Sequence, residues 1–256
     1  MASLEKVLWY LNFIGTLALL ARLLQCKLFR TYRFLFRFWL MQAVTTLVLF
    51  AIPLRSTLYA NAYYTTQMLS LILAICVVLE LYQEGLARHP SLAAFGRASV
   101  LVLMASAAAV AAFGVMLDST MQPGQYLIIH RFLTLERTLS LMVLVFLLLI
   151  SAFLLWFPVQ VKRNVVVYIT GFVLFYFSRS AGLLAANLLP RAAYMPMSVV
   201  LLAASLGCLL LWSVGLRKEG EDETTVTGNP GHAPALARLS TQLDEINAAL
   251  VRFVRN

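Results

Sequence analysis

Seven apolar stretches, each long enough to cross a bilayer, recur along the chain and leave little between them that could fold in water. They run Leu8–Leu24, Phe34–Leu54, Ala62–Leu81, Ala98–Leu117, Phe132–Trp156, Val165–Leu189 and Met197–Gly215. The hydrocarbon core of a bilayer is about 30 Å thick, so about 20 apolar residues in a helix are enough to span it. Only a helix satisfies its backbone hydrogen bonds within one such segment. The chain therefore reads as all-α, a polytopic membrane bundle of about seven transmembrane helices. The fifth stretch is the longest and is expected to tilt or to extend past the hydrocarbon.

Composition agrees, with 61% hydrophobic and 12% charged residues where a soluble domain has about half and about a quarter. The net charge of +9 raises the question of nucleic acid. Its placement answers it: most basic residues flank apolar stretches, where they meet anionic headgroups, and no basic patch is interleaved with aromatics. The expected partner is the lipid bilayer and not nucleic acid. Cys26, Cys76 and Cys208 are far apart with no C-x-x-C pair, which argues against a disulfide framework. Met1 to Cys26 imitates a signal peptide, but Gln25 is bulky where cleavage needs a small residue and Arg22 interrupts the approach, so it is read as an uncleaved first helix.

Lysine and arginine in the loops set the orientation. One set of connections holds Lys27, Arg30, Arg33, Arg37, Arg88, Arg97, Lys162, Arg163, Arg217 and Lys218; the other holds Lys6, Arg55, Arg131 and Arg191. Ten against four predicts an outside N-terminus and a cytoplasmic C-terminus, as in a bacterial inner membrane. Trp9, Tyr10, Tyr59, Tyr63, Tyr82 and Trp156 fall near helix ends, where amphipathic rings favour the interface.

The chain divides into a transmembrane domain over 1–217, a flexible acidic linker over 218–233 and an amphipathic helix over 234–256. Glu219 to Gly231 carries four acidic residues and Asn229-Pro230-Gly231 but no aromatic, the composition of a solvated linker. Pro234 suits a first helical turn. Beyond it Leu236, Leu239, Leu243, Ile246, Leu250 and Phe253 alternate steps of three and four, a short cytoplasmic coiled-coil seam. Its expected partner is its own copy, as a homodimer, or a cytoplasmic helix.

Ionisable residues inside lipid are costly and mark function. Glu136 lies early in the fifth stretch and Arg179 past the middle of the sixth, which runs the opposite way. Consecutive antiparallel helices are usually neighbours, so the two are expected to pair in the outer half, with His130 near the same mouth, as a ligand-binding site. Arg30, Arg33 and Arg37 repeat at three and four and are expected to contact lipid headgroups. Arg22 is expected to snorkel, and Glu80 to sit at the cytoplasmic interface among Arg88 and Arg97. Small residues at i, i+4 (Ser178, Gly182, Ala186; Ala203, Gly207) mark expected packing faces.

No H-E-x-x-H, G-x-S-x-G or G-x-x-x-x-G-K-[ST] occurs, so enzymatic activity is not expected. The spans lack the facing histidines a haem needs, and no lysine lies inside one to carry retinal. No metal or cofactor is expected. The reading that remains is a noncatalytic sensor or adaptor, passing an outer-half signal through the heptad helix to a cytoplasmic partner. The alternative is a small-solute transporter, against which the prolines count, since they fall near span ends and leave the helices unbroken.

Overall fold

The computed structural model describes residues 2–53, 56–86, 96–106, 108–109, 127–156, 160–188 and 194–226. Seven helices lie in them: α1 (Ala2–Gln25), α2 (Arg33–Ala51), α3 (Thr57–Gly85), α4 (Gly96–Ser106), α5 (Leu127–Trp156), α6 (Arg163–Leu188) and α7 (Tyr194–Gly215). All but α4 are long and apolar enough to cross a membrane. Apolar side chains such as Leu47, Phe50, Leu155, Phe177 and Val200 face outward. In water that surface would be an unmanageable apolar patch, whereas against lipid tails it is a solvated face. The protein is a multi-pass membrane bundle.

The six long helices close into a ring in the order α1, α2, α3, α5, α6, α7 and back to α1. We take the end where α1 begins as the upper end. Neighbours are antiparallel except α3 with α5 and α1 with α7, all four of which run downward: Arg179 of α6 joins Gln67 and Glu136 near the top, Gly85 lies against Ile150 and Leu154 at the bottom, and α1 meets α7 through Glu5–Ser198 near the top and Arg22–Leu216 near the bottom. The stretch 86–126 therefore joins the lower end to the upper. Its helix α4 starts against Tyr82 of α3 and, at about 1.5 Å per residue, is too short to cross alone. The rest of the expected fourth span, to Leu117, lies outside the described residues.

Aromatic rings fill the middle of the ring. Trp39 of α2 meets Trp212 of α7 edge-on at 5.3 Å between centroids, and Phe172 of α6 lies 4.9 Å from Trp212. Phe38 packs edge-on to Phe172. Such pairs add about 0.5–1.5 kcal/mol each beyond their burial. Trp212 fits only because α6 has a glycine opposite: a Cβ at Gly171 would stand 2.3 Å from the indole.

Two expectations about packing change. Gly182 does face α7, at Leu201, but Ala203 and Gly207 are exposed and a methyl group at Gly207 would meet nothing within 4 Å. That stripe is not a packing face of the bundle, because α7 meets α1 and α6 on its other sides. The acidic linker expected over 218–233 also begins as ordered chain. A 3-10 turn at Glu219–Glu221 leads into a strand, β2 (Thr224–Val226), antiparallel to β1 (Gln160–Lys162) before α6. Residues 227–256, with Leu236, Leu239, Leu243, Ile246, Leu250 and Phe253, lie outside the described residues.

Candidate functional site

A cavity of about 560 Å3 opens inside the upper half of the ring, bounded by every long helix. Its walls are more polar than the apolar helices around them suggest. α1 supplies Asn12 and Thr16, α2 Gln42 and Thr46, α3 Tyr63 and Gln67, and α7 Ser198 and Ser205. Each is a single polar position on the helix face turned inward, away from lipid. Trp39 and Phe175 form part of the lining, continuous with the aromatic layer beneath.

Two helices place the charges. Glu136, on α5, and Arg179, on α6, form a salt bridge across the wall, as their antiparallel arrangement predicts. Arg179 Nη2 donates both to Glu136 Oε1 and to Gln67 Oε1, the latter at 2.9 Å. Among the described hydrogen bonds, Nη1 and Nε of Arg179 and Oε2 of Glu136 carry none. The Glu136 side chain is 7% exposed and that of Arg179 is 28%, so Arg179 is the more accessible half of the pair. Asn12 adds a crosspiece: its Nδ2 donates to Leu8 O in α1 and to Leu202 O in α7, both at 2.9 Å. At the upper rim Ser198 Oγ donates to Glu5 Oε1 at 2.6 Å. The backbone of His130 lies in the first turn of α5; its side chain falls outside the described residues.

A second polar cluster lies at the lower end, and sequence reasoning placed its members wrongly or missed them. Glu80 is held by neither Arg97 nor another described arginine side chain, and Arg88 lies outside the described residues. Glu80 is turned inward, where its carboxylate accepts from the backbone N–H groups of Phe34 (3.1 Å) and Leu35 (3.4 Å) and from the Tyr168 hydroxyl (3.1 Å). The start of α2 presents free N–H donors and a positive dipole end, and a carboxylate from α3 satisfies both. Arg22 likewise does more than reach for headgroups, donating from Nε to Leu216 O at the end of α7 (3.1 Å).

Tyr168 packs edge-on against Tyr32, and the Tyr32 hydroxyl donates to Glu221 Oε1 at 2.6 Å. Glu221 also accepts from Asn164 Nδ2 at 2.8 Å and from Lys162 Nζ at 3.1 Å. Lys162 reaches Glu84 of α3 at 3.6 Å. The turn after α7 is thereby tied to the bases of α2, α3 and α6. Gly220 allows the approach, since a Cβ there would lie 2.3 Å from Asn164 Oδ1. Burial pushes the Glu221 carboxyl up, but hydrogen bonds from Tyr32, Asn164 and Lys162 outweigh it and hold it below the usual carboxylate range. Burial lowers Lys162, and the bond and charge of Glu221, with Glu84, more than reverse this. Burial and the Glu221 carboxylate push the Tyr32 phenol up, so it remains a donor.

Arg30, Arg33 and Arg37 are all exposed at this end. Two lie over aromatic rings, Arg30 over Phe29 and Arg37 over Phe34, and Arg33 Nε donates to Arg30 O. The three cysteines are free thiols. Among the described residues no group of His, Cys, Asp and Glu could hold a metal ion. The chain matches no protein-family model, no curated protein and no solved structure.

Proposed function

We propose that the chain is a noncatalytic membrane sensor that takes a small polar solute into the upper cavity and passes its presence to the C-terminal tail. The observation that carries this reading is the cavity holding the Glu136–Arg179 pair, with α6 running from it to the cluster that grips Glu221. A solute that engages Arg179 competes for the guanidinium that joins α5, α3 and α6. About three and four turns down α6, Tyr168 and Asn164 contact the partners that fix the start of the tail. Movement of α6 is then movement at Glu221, and a ligand biases it by binding one position of α6 better than the other.

In this reading the lysine and arginine bias puts the cavity on the outer side and the tail in the cytoplasm of a bacterial cell. The heptad of Leu236, Leu239, Leu243, Ile246, Leu250 and Phe253 is the output, pairing with its own copy or a partner helix. Arg30, Arg33 and Arg37 hold the lower rim against anionic headgroups.

One observation favours the transporter alternative. In the ring, α1–α3 and α5–α7 are three-helix halves with matching directions, and the cavity lies between them, an arrangement also met in transporters built from parallel repeats. One experiment separates the two. The full chain, with its cysteines replaced by serine and Ile246→Cys added, is reconstituted and screened with small polar solutes for melting temperature, tail crosslinking and uptake into sealed vesicles. Sensing requires a solute that stabilises the chain and changes the crosslink yield without accumulating inside. Accumulation overturns sensing in favour of transport, and a screen in which no solute stabilises the chain overturns both.

A further inference from the structure

The cavity has a charge pattern that narrows what it can hold, and this step rests on the cavity being a solute site. We infer that its ligand is a compact zwitterion of the α-amino-acid kind with an aromatic body.

Among the described lining residues the charged side chains are Glu136 and Arg179, one acidic and one basic. A ligand with net charge would bring an uncompensated charge into a space walled by low-dielectric helices, which is costly unless a partner neutralises it. An uncharged polar ligand could bond to Nη1 and Nε of Arg179 and Oε2 of Glu136, but only through contacts ionised on one side, which are weaker than those a charged group makes. A zwitterion avoids both penalties. Its carboxylate takes the N–H groups of Arg179 Nη1, a charge-assisted contact that leaves the Nη2 bonds to Glu136 and Gln67 in place. Its ammonium takes Glu136 Oε2, and the four charges alternate in sign.

The remaining walls fix the body of the molecule. Trp9 and Phe13 of α1, Trp39 of α2 and Phe175 of α6 line the same space. They supply aromatic surface against which an aromatic group can pack. The volume of about 560 Å3 lies within the usual range of small-molecule sites, so an amino acid fits with room for a few waters. Gln42 adds an amide group to the lining, and Asn12, whose Nδ2 is committed to Leu8 and Leu202, adds an amide oxygen.

The test uses the unmodified full chain in lipid nanodiscs, read by intrinsic tryptophan fluorescence, since Trp9 and Trp39 line the cavity. Four probes share one body: L-phenylalanine, its N-acetyl derivative (anion only), its amide (cation only) and its N-acetyl amide (uncharged). The zwitterion is expected to bind roughly ten- to a hundredfold more tightly than each of the others, the loss expected when one charge-assisted contact goes unmade. Glu136→Gln should shift the preference toward the anion, and Arg179→Gln toward the cation. The wild-type comparison decides even where these variants fail to fold. Equal or tighter binding of any single-charge or uncharged probe overturns the zwitterion. So does failure of all four while another polar solute raises the melting temperature, and in both cases the cavity reading stands. Only a protein that no solute stabilises removes the reading beneath.

Discussion

Removing the carboxylate of Glu136 tests the bundle where its one described intramembrane ion pair holds three helices together. Breaking a buried pair by removing one partner typically costs about 3–5 kcal/mol, because the other charge stays behind without compensation. Three features of this pair place Glu136→Gln toward the lower end of that range. The amide keeps an oxygen that can still accept from Nη2, Gln67 continues to accept at 2.9 Å, and the Arg179 side chain is 28% exposed. The reverse variant, Arg179→Met, should cost less, since a stranded carboxyl can take up a proton while a guanidinium cannot release one. The double variant Glu136→Gln with Arg179→Met buries no charge and should recover much of the loss. Thermal unfolding of detergent-solubilised protein, run as a double-mutant cycle with residual monodisperse protein as the signal, reads all three. Single effects that simply add in the double variant would show that the two residues do not hold each other, and the coupling assigned to them would be wrong.

Gly171→Ala should destabilise by about 1–3 kcal/mol through overpacking against Trp212, and Trp212→Leu in the same chain should relieve part of that cost in the same melt. The tie at Glu221 should weaken in acid. Its carboxyl is held below the ordinary value of about 4.3, so the contribution is complete above that pH and is lost as pH falls through the folded value. A spectroscopic label near Thr224 should gain mobility over that acid range, and Glu221→Gln should be mobile and pH-independent there; identical titrations in both would refute the tie. Reporter fusions after Arg163 and after Lys218 should mark the cytoplasm and one after Arg191 the exterior. A C-terminal reporter on the outside would reverse the orientation.

Six of the seven expected spans were legible because hydropathy is a local property: a run such as Met197–Gly215 states its environment without knowledge of its neighbours. The Glu136–Arg179 pair was legible for a related reason, since two costly charges at similar depth on consecutive antiparallel helices have few other places to go. The cavity was not. Asn12, Gln42 and Gln67 are isolated polar positions in apolar helices, and only the ring order turns them toward one space. The lower cluster was hidden by distance along the chain. Glu221 meets Tyr32 across 189 positions and Asn164 across 57, and an acidic segment with glycine reads as solvent-loving whatever lies opposite. Glu80 misled because the arginines nearby in sequence looked like its partners, whereas the start of α2 offered backbone donors that no side-chain pattern announces.

The distance between Glu136 and its partner bears on how the protein is made. Helices enter the membrane as they emerge from the ribosome, and Glu136 emerges 43 residues before Arg179. Until then α5 carries a carboxylate without the partner it holds in the bundle, on a helix whose buried positions are otherwise apolar but for Ser140. The translocation machinery meets an awkward segment first and its remedy second. α5 and α6 are adjacent in the ring, so the economical course is for them to partition into lipid together as a hairpin, with the ion pair formed before either helix is released to the bilayer.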